Sequence, residues 1–185
     1  VLSVLTIDFE ASCLPKHGRS FPIEVGIAVH GQARSWLIRP HRDWWGWDWT
    51  AEAEALHGIS RERIDNEGLP VEQVLAELSQ AVSGHRVVAD SRIDQYWLDT
   101  LAAAAGLSAP VAIEHVSDLL DEMHATQDSI AQAVAAADSA YPARHRAASD
   151  ALWLGSLIDR LKADTLAPAS IIASALPAAI PLARH

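Results

Sequence analysis

The pair of acids in Ile7-Asp8-Phe9-Glu10 is the first feature that could do chemistry. Side chains alternate faces along a strand, so Asp8 and Glu10 project the same way from the end of the apolar run at residues 1–7. Two carboxylates at the end of an otherwise apolar strand are costly unless solvent or a partner neutralises them. A divalent cation is such a partner, because Mg²⁺ favours carboxylate oxygens and keeps waters that a substrate can displace. Two solvated acids beyond the strand end would leave the same sequence mark.

Asp94 follows a short apolar run at residues 86–89 and opens a segment in which Asp94, Trp97, Leu98 and Leu101 share a helical face. Open α/β sheets place ligands at such strand-to-helix junctions, and an acid there also complements the helix dipole. His145 and Asp150 form the third group. Five residues turn an ideal helix through about 500°, so the two cannot share a face if both are helical. The spacing predicts His145 in a loop and Asp150 within the first turns of the last helix, with Ala147 allowing close approach to the sheet. An imidazole can take a proton from water at neutral pH. His145 is also one of nine histidines, and a surface role is the plain alternative.

These groups need a scaffold. Residues 1–7, 21–30 and 34–38 read as strands, the last two joined by a turn at His30-Gly31. Thr50 caps a short helix over residues 51–56, which Gly58 stops. Pro70 opens a helix whose apolar positions are Val71, Val74, Leu75, Leu78 and Val82. Residues 86–89 form a buried strand and residues 110–113 a last one. Helices are expected over residues 115–124 and 129–137, then a final one with Ala147, Ala151, Leu154, Ile158 and Leu161 on one stripe. The fold class is α/β, a mixed sheet flanked by helices.

With 185 residues, the chain suits one full-sized core. Its formal charge of −10 argues against coating nucleic acid by bulk electrostatics but leaves room for gripping one strand end. Arg61, Arg63, Arg86, Arg92, Arg144 and Arg146 are the basic residues nearest the motifs. The single cysteine, Cys13, suits a reducing compartment, so a cytoplasmic location is expected. Pro168, Pro177 and Pro181 interrupt the apolar tail, so no membrane helix is expected there. That tail, residues 164–185, is expected to serve as a homodimer or partner contact.

Together and in this order, the motifs resemble the DEDDh 3′–5′ exonucleases of the DnaQ-like superfamily, which includes ribonuclease T and the proofreading subunit of DNA polymerase III. Asp8 and Glu10 match the first motif, Asp94 with Trp97-Leu98 the second, and His145 with Asp150 the third. Phe21-Pro22-Ile23-Glu24-Val25-Gly26 and Leu56-His57-Gly58-Ile59-Ser60 resemble accessory segments. The resemblance covers residues 1–163 and implies an RNase H-like fold. It further implies two divalent cations, Mg²⁺ or Mn²⁺, held by Asp8, Glu10, Asp94 and Asp150, with His145 as general base. His57, Ile59 and the backbone at Ala11 and Ser12 would touch the terminal nucleotide. The substrate would be the 3′ end of single-stranded RNA or DNA, and the product a nucleoside 5′-monophosphate. RNA is favoured because Asp-Phe-Glu-Ala-Ser and Pro-Ile-Glu-Val-Gly look closest to ribonuclease members. A proofreading or maturation subunit of a larger assembly, and a catalytically silent nucleic-acid-binding module, are the competing readings. Arg92-Ile93 departs from the family pattern just before Asp94. Trp44, Trp45, Trp47 and Trp49 could stack bases, but a hydrophobic cluster under a long loop is the favoured reading, since Asp43 and Asp48 would repel phosphates.

Overall fold

Residues 2–166 are described by a computed structural model. Strand β1 (Ser3–Ala11) is followed by the hairpin β2 (Pro22–Val29) and β3 (Gln32–Leu37). His30 and Gly31 both have positive φ, 50° and 73°, as a two-residue primed turn requires. Then come α1 (Ala51–His57), α2 (Arg61–Glu67), α3 (Val71–Val82), β4 (His85–Ala89) and α4 (Ile93–Ala104). The chain continues through β5 (Glu114–His115), α5 (Val116–Glu122), α6 (Gln127–Ala140) and α7 (Ala147–Leu166). The sheet order is β3-β2-β1-β4-β5, antiparallel across β1–β2 and β2–β3 and parallel across β1–β4 and β4–β5. This is the mixed, helix-flanked RNase H-like sheet expected from the sequence.

Alternation along β1 decides which face carries which task. Leu5, Ile7, Phe9 and Ala11 enter the larger core with α3 and α4. Thr6 points the other way, its hydroxyl 2.6 Å from the Ala151 carbonyl of α7. Asp8 and Glu10 share the parity of Thr6 and so face α7. Val88, Leu119, Ala133, Leu154 and Ile158 build a second core beneath that helix.

The N-terminus of α7 crosses the sheet at Gly26, which pairs with Asp8. A Cβ at Gly26 would lie 2.2 Å from the Ala147 carbonyl carbon, against backbone that cannot swing aside. Close approach therefore depends on Gly26 as well as on the small Ala147. Gly26→Ala is expected to destabilise the fold by about 1–3 kcal/mol, the usual cost of overpacking. Thermal unfolding checks this, and a melting temperature equal to the parent's would refute it.

Several elements differ from expectation. Strand β1 runs on to Ala11, because Phe9 and Ala11 keep feeding the core on the face opposite the acids. The last strand is at Glu114–His115 and not at residues 110–113, since the Ile113 N–H donates to Gln95 Oε1 (2.7 Å) instead of a strand. Helix α2 carries only one buried residue, Ile64, and so shows no apolar stripe to read; Ser60 caps it by accepting from the Arg63 N–H (3.2 Å). Trp44 is buried and stacked on Phe21, Trp47 and Trp49 pack against the core, and Trp45 alone of the four is exposed. The hydrophobic-cluster reading of that loop holds. Helix α7 passes the expected boundary at residue 163, and the tail expectations fall mainly on residues 167–185, outside the described residues. Among the described residues, no helix is long and apolar enough to cross a membrane.

Candidate active site

Parts of four elements, β1 among them, meet at one place. The C-terminal half of β1 brings Asp8 and Glu10, the end of β4 brings Asp90, the first turn of α4 brings Asp94, and the first turn of α7 brings Asp150. Carboxylate oxygens of Asp8, Glu10 and Asp150 lie within 4.8 Å of one another, and so do those of Asp8, Asp90 and Asp94. All four acids expected from the sequence converge, with Asp8 common to both groups. Asp90 was missed, although it sits directly after the buried strand, four residues before Asp94.

Asp94 is fully buried, with 1% of its surface exposed. The β1–β4 pairing stops at Thr6↔Val88, so the Phe9 N–H has no strand partner on that side; it donates to Asp94 Oδ1 at 3.2 Å. Asp94 Oδ2 has no hydrogen-bond partner. Asp150 Oδ2 accepts from the His145 N–H (2.9 Å), while Oδ1 pairs with the Arg144 guanidinium. His145 lies in the loop before α7 with φ 68° and an exposed ring. Its other neighbour, Arg146, is clamped by Glu24 at 2.6 and 2.9 Å, and Glu24 also accepts from the Ala147 N–H (3.2 Å). Glu24 is 1% exposed and faces Glu10 across the β1–β2 ladder. Pairs on either side thus fix the loop that carries His145.

The acids crowd one another. Burial lifts Asp8 well above the usual carboxylate range, helped by Asp94, Glu10 and Asp150. Burial, then Asp150 and Glu24, pushes Glu10 up to about 8. Burial, then Asp90, pushes Asp94 up to about 8. Asp90 is also raised, chiefly by lost hydration and then by Asp150, although its surface counts as exposed. An all-oxygen donor set with surplus negative charge and an orphaned buried oxygen on Asp94 fits hard divalent cations.

A cavity of about 180 Å³ adjoins Glu10, lined among others by Phe9, Ala11, Cys13, Leu14 and His57. His57 Nδ1 accepts from the Ile59 N–H (3.0 Å), its Nε2 is buried without a partner, and burial lowers its pKa. Ala11 and His57 line this cavity, whereas Ser12 and Ile59, also expected at the terminal nucleotide, are 0% exposed. The Ser12 N–H donates to the Phe21 carbonyl (3.0 Å) and its carbonyl accepts from Thr50 (3.1 Å), so its backbone groups are already used. The arginines near the motifs are also engaged: Arg63 with Glu67, Arg86 with Glu114 and Glu122, Arg92 with Asp118, and Arg61 over the Trp49 ring.

No family model matches the chain, and no curated protein matches it. Solved structures do. A moderately thermophilic exonuclease I from Methylocaldum szegediense superposes with a TM-score of 0.62 at 15% identity, over 89% of this chain and 41% of that one. E. coli exonuclease I in complex with a dA16 oligonucleotide gives 0.63 at 11% identity, over 89% and 42%. The chain has the fold of the part of exonuclease I that it covers. The zinc-bound E. coli exonuclease I complex with single-stranded DNA gives 0.61 at 14% identity, over 89% and 41%. The chain thus spans less than half the length of these exonuclease I molecules.

Proposed function

We propose that the chain is a metal-dependent 3′–5′ exonuclease that removes nucleoside 5′-monophosphates from single-stranded ends. The observation that carries this reading is the double cluster of acids sharing Asp8, with His145 held at its edge by Asp150. Asp8, Glu10, Asp94 and Asp150 would hold two divalent cations, Mg²⁺ or Mn²⁺. When bound, such ions acidify water and offset charge on the phosphate and leaving oxygen. The terminal nucleoside lies in the cavity beside Glu10, against Ala11 and His57. The attacking water gives a proton to His145 as its oxygen bonds to phosphorus, the bond from phosphorus to the penultimate nucleotide's 3′-oxygen breaks, and that oxygen takes a proton from solvent, so the shortened strand leaves with a 3′-hydroxyl.

Similar folds have been solved with DNA oligonucleotides, which favours single-stranded DNA and lends nothing to the RNA preference read from the sequence. The test is digestion of labelled single-stranded DNA, single-stranded RNA and duplexes with overhangs, each with a 3′-hydroxyl or a 3′-phosphate. Mononucleotides are expected to appear from the 3′ end of single strands, to be slowed by a 3′-phosphate, and to vanish in excess chelator. Release from the 5′ end, or full activity in chelator, would sink the reading. Binding without release under every metal condition would favour the silent module.

A further inference from the structure

We infer that Asp90 is a fifth cation ligand, completing with Asp8 and Asp94 an oxygen site for a divalent cation on the β4 side of β1. This rests on the exonuclease reading and adds a residue to the four acids that the sequence motifs supply. Asp90 is the first residue after β4, and its carbonyl oxygen lies 3.0 Å from His115 Nε2 of β5, which ties its backbone to the sheet edge. Its carboxylate meets those of Asp8 and Asp94 within 4.8 Å. Among the described residues, no ion pair engages Asp90; Arg144 acts on it only at a distance, its guanidinium being held by Asp150.

The second, independent observation is Asp94 Oδ2. A carboxylate oxygen buried without a partner is expensive. Asp94 keeps 1% of its surface, and that oxygen has no partner at hydrogen-bonding geometry; beyond the Phe9 N–H on Oδ1, the Ser91 N–H acts on the carboxyl as the smallest of the influences on its pKa. A cation seated among Asp8, Asp90 and Asp94 supplies the missing partner. The two clusters then become equivalent in number, three acids each with Asp8 shared. Without Asp90, the β4-side cation would keep only Asp94 and a share of Asp8.

The test is calorimetric titration of Mn²⁺ into the metal-free full chain, without nucleic acid, for the parent, Asp90→Asn and Asp90→Ser. Altering even an outer-shell partner of a metal ligand typically costs about 10–100-fold in affinity, so loss of a ligand should weaken one Mn²⁺ at least about tenfold. The metal-free variants should melt no lower than the parent, because a like charge has gone, while the Mn²⁺-induced rise in melting temperature should shrink. An Asp90→Asn isotherm identical to the parent's, whether that titrates one ion or two, would overturn the role of Asp90 alone. If Asp90→Asn proves unfolded, Asp90→Ser is judged by the same rule. A parent chain that binds no Mn²⁺ at all would overturn the exonuclease reading together with this inference.

Discussion

Asp8→Asn should lower hydrolysis by about 10³-fold or more, while its metal-free form melts higher than the parent at about pH 8. The two signs have one cause. Asp8 belongs to both acid clusters, so its loss strips a ligand from each. It is also the acid raised by the largest set of neighbours, Asp94, Glu10, Asp150 and Asp90, on top of burial. Without metal, the folded chain holds protons on Glu10 and Asp94 up to about 8, whereas the unfolded chain releases them near ordinary carboxylate values. A raised folded pKa means stability that is present at low pH and lost as pH rises. Metal-free parent protein should therefore lose stability from about pH 4.5 to about pH 8, and Asp8→Asn should lose less. Asp150→Asn offers the contrast. It should abolish activity too, but without gaining stability, because Asp150 also answers Arg144 and the His145 N–H. Melting curves across pH in chelator decide the matter. A parent melting temperature that climbs over that window would show that the acids are not crowded.

Two periodicities made much of this site readable. Alternation put Asp8 and Glu10 on one face of β1, and the same rule placed Leu5, Ile7 and Phe9 in the opposite core. The turn angle between His145 and Asp150 forced one into a loop and the other into a helix, as observed. What stayed hidden depended on contacts between distant segments. Glu24 reads as an ordinary strand acid until the β2 register sets it opposite Glu10 and beneath Arg146. Gly26 matters only because α7 crosses there. Asp90 has no periodic partner of its own, and it becomes a candidate ligand only when β4 lies beside β1. Family resemblance put Ser12 and Ile59 near the substrate but could not report their depth, which hydrogen bonds to Phe21, Thr50 and His57 set.

His145→Asn should cut the single-turnover rate at neutral pH by about 10²–10⁴-fold, the usual contribution of a general base, and leave strand binding nearly unchanged. Asparagine is the informative replacement because of the backbone. His145 has φ 68°, a left-handed conformation that strains most side chains but that Asn adopts readily. His145→Ala would remove the ring and strain the loop together, so a loss there could come from either. In the Asn variant the His145 N–H bond to Asp150 and the flanking pairs Arg144–Asp150 and Arg146–Glu24 can all persist. Only the exposed imidazole goes. Among the described residues its ring joins neither core and makes no hydrogen bond, so a fall in rate without a fall in melting temperature points to proton transfer. If His145→Asn turns over at the parent's rate, the ring is not the base, and the loop's role is to present Asp150 alone.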